Sequence, residues 1–61
     1  MTVEDLFDQV DVQGEVRIVY VEEDGYERKQ LEYQLAKDLD IQYMYVENDI
    51  MYIEVEEPEE E

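Results

Sequence analysis

The stretch Ile41-Gln42-Tyr43-Met44-Tyr45-Val46-Glu47-Asn48-Asp49-Ile50-Met51-Tyr52-Ile53-Glu54-Val55-Glu56 decides the fold. Two extended runs, Ile41 to Glu47 and Ile50 to Glu57, flank Asn48-Asp49, a pair suited to a two-residue hairpin turn. With those two residues as the loop, Glu47 pairs with Ile50, Val46 with Met51, Tyr45 with Tyr52 and Met44 with Ile53. Directly opposed residues share a face of the sheet. One face then holds Met44, Val46, Met51, Ile53 and Val55, aliphatic throughout. The other holds Tyr43, Tyr45, Glu47, Tyr52, Glu54 and Glu56. A one-residue slip would scramble both faces.

Working outward, the aliphatic face needs a cover. Val3, Leu6, Phe7 and Val10 fall at i, i+3, i+4 and i+7, one face of a short helix. Thr2 can cap it, with Asp5 three residues on in a capping-box arrangement, and Glu4 and Asp5 suit its positive end. Gly14 separates this helix from Glu15–Val21, a strand rich in β-branched residues. Asp24-Gly25 is a turn signal that sends the chain back as a second strand from about Tyr26 to Glu32. Helical turns through Tyr33–Asp38 follow. A rival reading makes residues 28–39 one helix, because Leu31, Leu35 and Leu39 recur every four residues. The expected fold is α+β in the order α-β-β-α-β-β, a short N-terminal helix packed on an antiparallel four-stranded sheet. Residues 1–57 form one domain, and 58–61 an acidic, frayed tail.

Composition narrows the chemistry. The chain has 61 residues and neither cysteine nor histidine, so disulfides and the usual zinc ligand sets are ruled out. It has no serine, and its two glycines cannot build a phosphate-cradling loop. Carboxylates are so abundant that a nearby pair carries no catalytic signal, and a glycosidase-like pair would need a cleft that so short a chain can hardly supply. No enzyme is expected, and no cofactor. Asp38-Leu39-Asp40 and Glu47-Asn48-Asp49 could attract calcium or magnesium weakly, but neither has the spacing of an EF-hand loop. No metal site is expected.

The charge is the informative quantity. Twenty acids stand against four bases, a net charge of −16. Anionic membranes and nucleic acids would repel such a surface, so neither is an expected direct partner. High net charge often means disorder, yet 44% of the residues are hydrophobic, with six tyrosines and one phenylalanine, and such a chain folds. The four cations, Arg17, Arg28, Lys29 and Lys37, lie between positions 17 and 37, and both chain ends carry acids alone. The start lacks the basic and apolar segments of a secretory signal, which leads to the expectation of a soluble, cytoplasmic protein.

The tyrosine–carboxylate face has two readings. Tyrosines are common in half-buried strands, and glutamates keep such a face wet. Alternatively, the face is a binding surface built from Tyr43, Tyr45, Glu47, Asp49, Tyr52, Glu54, Glu56 and Glu57, because tyrosine offers a large rigid contact with a polar tip. Carboxylates two strand positions apart stand about 6.7 Å from each other. That is the order of spacing between phosphates on a nucleic-acid strand, so such a row can occupy Lys/Arg sites that evolved for a phosphate backbone.

The segments Gly14-Glu15-Val16-Arg17-Ile18-Val19-Tyr20 and Gln42 to Glu56 resemble small acidic proteins carried by Firmicute phages and mobile elements. The likeness spans roughly residues 14–57 and is weaker through Gln30–Asp38. It implies a bacterial host cell as context and no assigned activity. Small acidic phage proteins are often nucleic-acid mimics, as in anti-CRISPR proteins and inhibitors of uracil-DNA glycosylase, although no residue motif of either class is present. The leading expectation is an inhibitor that blocks the basic groove of a host nucleic-acid-binding protein, such as a Cas nuclease. The alternatives are an interaction module or homo-oligomeric regulator without mimicry, and acidity that serves solubility at high salt. Monomer and small homo-oligomer both remain open.

Overall fold

A computed structural model describes residues 1–58. The elements follow the order α1 (Val3–Gln9), β1 (Glu15–Val21), β2 (Arg28–Leu31), α2 (Tyr33–Ala36), β3 (Ile41–Glu47) and β4 (Ile50–Val55). This is the expected α-β-β-α-β-β domain. Residues 59–61 of the expected tail lie outside the described residues, and Pro58 is half-buried.

The local start signals act as expected. The Asp5 N–H donates to Thr2 Oγ1 at 3.2 Å and the Thr2 N–H donates to Asp5 Oδ2 at 3.4 Å, the reciprocal capping box. Two more of the N–H groups that a helix start leaves without partners find carbonyls just beyond α2. Val3 donates to Leu39 at 3.3 Å and Glu4 donates to Lys37 at 3.1 Å. The helix stops one residue short of the periodic pattern, so Val10 is an extended, exposed cap rather than a buried position. Gly14 enters β1 at φ +95°, a left-handed conformation that disfavours any other residue.

The sheet is mixed, and this corrects the antiparallel expectation. Strand order is β2-β1-β4-β3, with β1 parallel to β4 and both outer pairs antiparallel. Each hairpin is antiparallel because its turn is local. Their relative direction is set by the nine residues between Leu31 and Ile41, which include α2. That connection carries the chain across the sheet from one edge to the other and starts β3 in the direction of β2. The inner strands β1 and β4 then run side by side in the same direction.

The first hairpin is also wider than its turn signal implied. Val21 pairs with Arg28, so residues 22–27 all lie in the loop. The Gly25 N–H donates to the Glu22 carbonyl at 3.0 Å, which places Gly25 last in a Glu22–Gly25 turn rather than at its centre. Tyr26 is fully exposed as a result. The all-helical alternative for residues 28–39 fails: Leu31 ends β2, and Leu35 on α2 points outward at 65% exposure.

The core lies between the helices and the inner strands. Val3 and Leu6 of α1 and Ala36 of α2 meet Ile18 of β1 and Ile53 and Val55 of β4. Ile53, at 0% exposure, has the bulkiest of the fully buried side chains. The aliphatic face of the second hairpin is covered only in part. β4 is buried, but Met44 and Val46 on β3 are 50% and 68% exposed, because the two short helices end over β1 and β4.

Candidate partner-binding face

The register of the second hairpin decides which side chains share the open face. Tyr45 pairs with Tyr52, Val46 with Met51, Met44 with Ile53 and Glu47 with Ile50, the four pairs expected from the two-residue loop. Asn48 and Asp49 take φ values of 52° and 64°, the left-handed pair of a type I′ turn that Asn and Asp tolerate. The register shifts once, between Ile41 and Tyr43, and Tyr43 pairs with Glu54. Tyr43, Tyr45, Glu47, Tyr52 and Glu54 therefore stand on the face turned away from the helices.

Three of these residues gather around a cation that the sequence reading did not place there. The Tyr45 and Tyr52 rings stack at 5.4 Å, 16° from parallel. The Arg28 guanidinium lies 5.5 Å from the Tyr45 ring centre and 5.4 Å from that of Tyr52. Its Nη1 donates to Tyr45 Oη at 2.9 Å and to Glu47 Oε2 at 3.0 Å. Arg28 belongs to β2, at the opposite edge of the sheet, so this clasp reaches over β1 and β4 to β3. The Tyr45 hydroxyl, followed by Glu47, holds the Arg28 pKa above its ordinary value.

The face is thus a tyrosine pair under an arginine, with carboxylates at its margins, rather than an unbroken row of carboxylates. β1 contributes Arg17, which pairs with Glu15 at 3.1 Å. Val19, buried on this side of the sheet, lines an open hollow with Arg17, Arg28, Gln30, Ile50 and Tyr52. The alternation of β1 could have revealed this. Arg17 sits two residues from Val19 and opposite Tyr52 in the parallel pairing, but the parallel pairing itself was not legible.

The remaining candidates lie away from the cluster. Asp49 shapes the turn. Glu57 accepts a 3.3 Å hydrogen bond from the Glu23 N–H and ties the chain end to the first loop. Glu56 Oε1 lies 3.5 Å from the Asp40 N–H, beside the end of β4. Tyr43 stands 64% exposed, outside the stack.

Charge is arranged simply. Glu22 accepts a hydrogen bond from Lys29 and raises the pKa of that ammonium above 10.5. Arg17, Arg28 and Lys29 thus each hold one carboxylate, and no charged residue is buried among the described residues. Nor do three or more carboxylates converge there as a metal site would require. No described helix is long and apolar enough to cross a membrane. Comparisons with protein-family models, with curated proteins and with solved structures return no match.

Proposed function

We propose that this chain is a non-enzymatic, acidic inhibitor that mimics nucleic acid and blocks the basic groove of a nucleic-acid-binding protein, as a counter-defence protein would; a Cas nuclease is the most specific such target. One observation carries this reading: the excess charge is displayed in full on a small body. Residues 1–58 hold 17 of the 20 acids and all four cations, a net −13 along a 32 Å long axis, or about 2.5 Å per charge. Duplex DNA carries one charge per about 1.7 Å of axis. The two densities are of the same order. A groove that attracts a phosphate backbone would attract this surface by the same long-range field.

The tyrosine pair supplies what charge alone lacks. Its stacked rings are a rigid, flat contact already ordered by Arg28, so little side-chain freedom is lost on docking. Glu54 extends a carboxylate from the same face, and Glu56 lies just past the end of β4.

The test is capture from bacterial lysate on the immobilised chain at low salt, with duplex DNA added as competitor. The expected result is DNA-displaceable capture of basic nucleic-acid-binding proteins. Their affinity should fall at least about tenfold between 50 and 200 mM salt. Glu54→Lys/Glu56→Lys and Tyr45→Ala/Tyr52→Ala variants should capture less. Partners that DNA does not displace, or affinity indifferent to salt, would overturn the reading.

A further inference from the structure

The two edges of the sheet are built to different rules. β2 has four residues and carries Arg28 and Lys29, both engaged with acids, and short charged strands of this kind keep an edge from pairing with other chains. β3 has seven, and Ile41–Val46 is the longest uncharged run in a sequence that is 39% charged. Its start is covered, since the Ile41 N–H donates to the Met1 carbonyl at 2.8 Å and the ladder shifts between Ile41 and Tyr43, but from Tyr43 to Val46 the edge carries neither a charge nor a bulge.

Turn geometry shows which backbone groups the edge offers. A two-residue type I′ loop is closed by a hydrogen-bonded pair, here Glu47 and Ile50. Bonded and non-bonded pairs alternate along an antiparallel ladder, so Tyr45–Tyr52 is the next bonded pair. The N–H and C=O groups of Val46 and Met44 are thereby turned outward, away from β4. Their side chains, on the helix side, are the half-covered aliphatic pair described above.

We propose that β3 is the interface through which a second copy of this chain pairs, antiparallel, about a two-fold axis at Tyr45. In that register Met44 lies opposite the partner's Val46, and Val46 opposite the partner's Met44. All four outward residues exchange both of their hydrogen bonds. On the open face Tyr45 meets the partner's Tyr45, and Tyr43 meets the partner's Glu47. Gln42 falls opposite the partner's Asn48, and Ile41, whose N–H is held by Met1, lies beyond the paired stretch. No carboxylate opposes another anywhere along the pairing, although acids make up about a third of the chain. The result is one eight-stranded sheet with both open faces on the same side.

Two further observations favour a second copy as the occupant over a foreign strand. The edge is self-complementary about its own centre, and the two offered residues, two apart, match each other in that symmetry. The described residues also include only seven buried hydrophobic side chains and the chain has no cysteine, the size class in which self-association supplies missing burial. Charge fixes the sign of the salt effect. Two bodies of like charge repel, so salt tightens this contact, whereas a basic strand at the same edge would be loosened by it. The inference stands apart from the mimicry proposed above, which concerns the open face and predicts the opposite salt dependence.

Sedimentation equilibrium of the full chain, from about 10 to 500 µM in about 50 and 500 mM NaCl, tests it. The expected result is a species of twice the 7.4 kDa chain mass whose dissociation constant falls as salt rises. In hydrogen exchange, the Met44 and Val46 amides should become protected as protein concentration rises, while those of Tyr43 and Tyr45 are protected throughout. Val46→Lys removes one unit of repulsion yet places a lysine on the edge, and should weaken pairing at least about tenfold. Tyr26→Lys, the same charge change on the far loop, should leave pairing unaltered. A single-chain mass under every condition overturns the proposal. So does a dimer that loosens with salt, one in which the Met44 and Val46 amides exchange freely, or one that Val46→Lys leaves intact.

Discussion

The two faces of this sheet are organised by different forces. The helix-covered face is ordered by burial: Ile18, Ile53 and Val55 lose nearly all contact with water against Val3, Leu6 and Ala36. The open face is ordered by directed contacts, with Arg28 bonded to Tyr45 and Glu47 over two stacked rings. Burial of a large aliphatic side chain contributes about 1.5–3 kcal/mol, while an aromatic pair adds about 0.5–1.5 kcal/mol beyond its area. The covered face therefore sets whether the chain folds. The open face sets what shape it presents, and can change without unfolding the domain.

The largest break in that comparison is Ile53→Ala. It empties the centre of the covered face and should cost about 2–5 kcal/mol, which for so small a domain is much of its total stability. Urea unfolding with circular dichroism would measure it. A loss under about 1 kcal/mol would show that Ile53 is not the centre of the core. A smaller break on the same face is Thr2→Ala, which removes one half of the capping box that seats α1 and should cost about 1 kcal/mol. If the melting transition did not move, the box would have no part in holding the helix over the sheet.

The same division explains what the sequence made legible. Sequence-near features could be read: the Thr2–Asp5 cap, the Asn48-Asp49 loop and the register it imposes from Met44 to Glu47. Each depends on residues within a few positions of one another. The parallel meeting of β1 and β4 could not be read, because either direction of the connection between Leu31 and Ile41 satisfies the same hydrophobic pattern. With that pairing hidden, Arg17 and Arg28 could not be placed beside Tyr52 and Tyr45, and the open face read as tyrosine and carboxylate alone. The exposure of Met44 and Val46 escaped for a related reason. Alternation assigns a side chain to a face, but the lengths of α1 and α2 determine how far that face is covered.

The smallest expected effect separates a face held by directed contacts from one merely left in water. A double-mutant cycle of Tyr45→Ala and Tyr52→Ala, at protein concentrations of a few micromolar, should give a coupling of about 0.2–1 kcal/mol. Repeated in an Arg28→Lys background, the cycle asks what the guanidinium contributes. Lysine keeps the charge but has no planar fork to bond Tyr45 and Glu47 together while lying over two rings. The coupling should therefore shrink, and the near-ultraviolet dichroism of the tyrosine pair should weaken with it. Protonation gives a second control. The Tyr45 hydroxyl, and then Glu47, raise the Arg28 pKa, and a raised cation contributes its stability at all pH values below its unfolded pKa. The wild-type coupling should thus be the same at pH 6 and pH 9. A coupling that survives Arg28→Lys unchanged would mean the rings stack without the clasp, and the open face would then be ordered by the hairpin register alone.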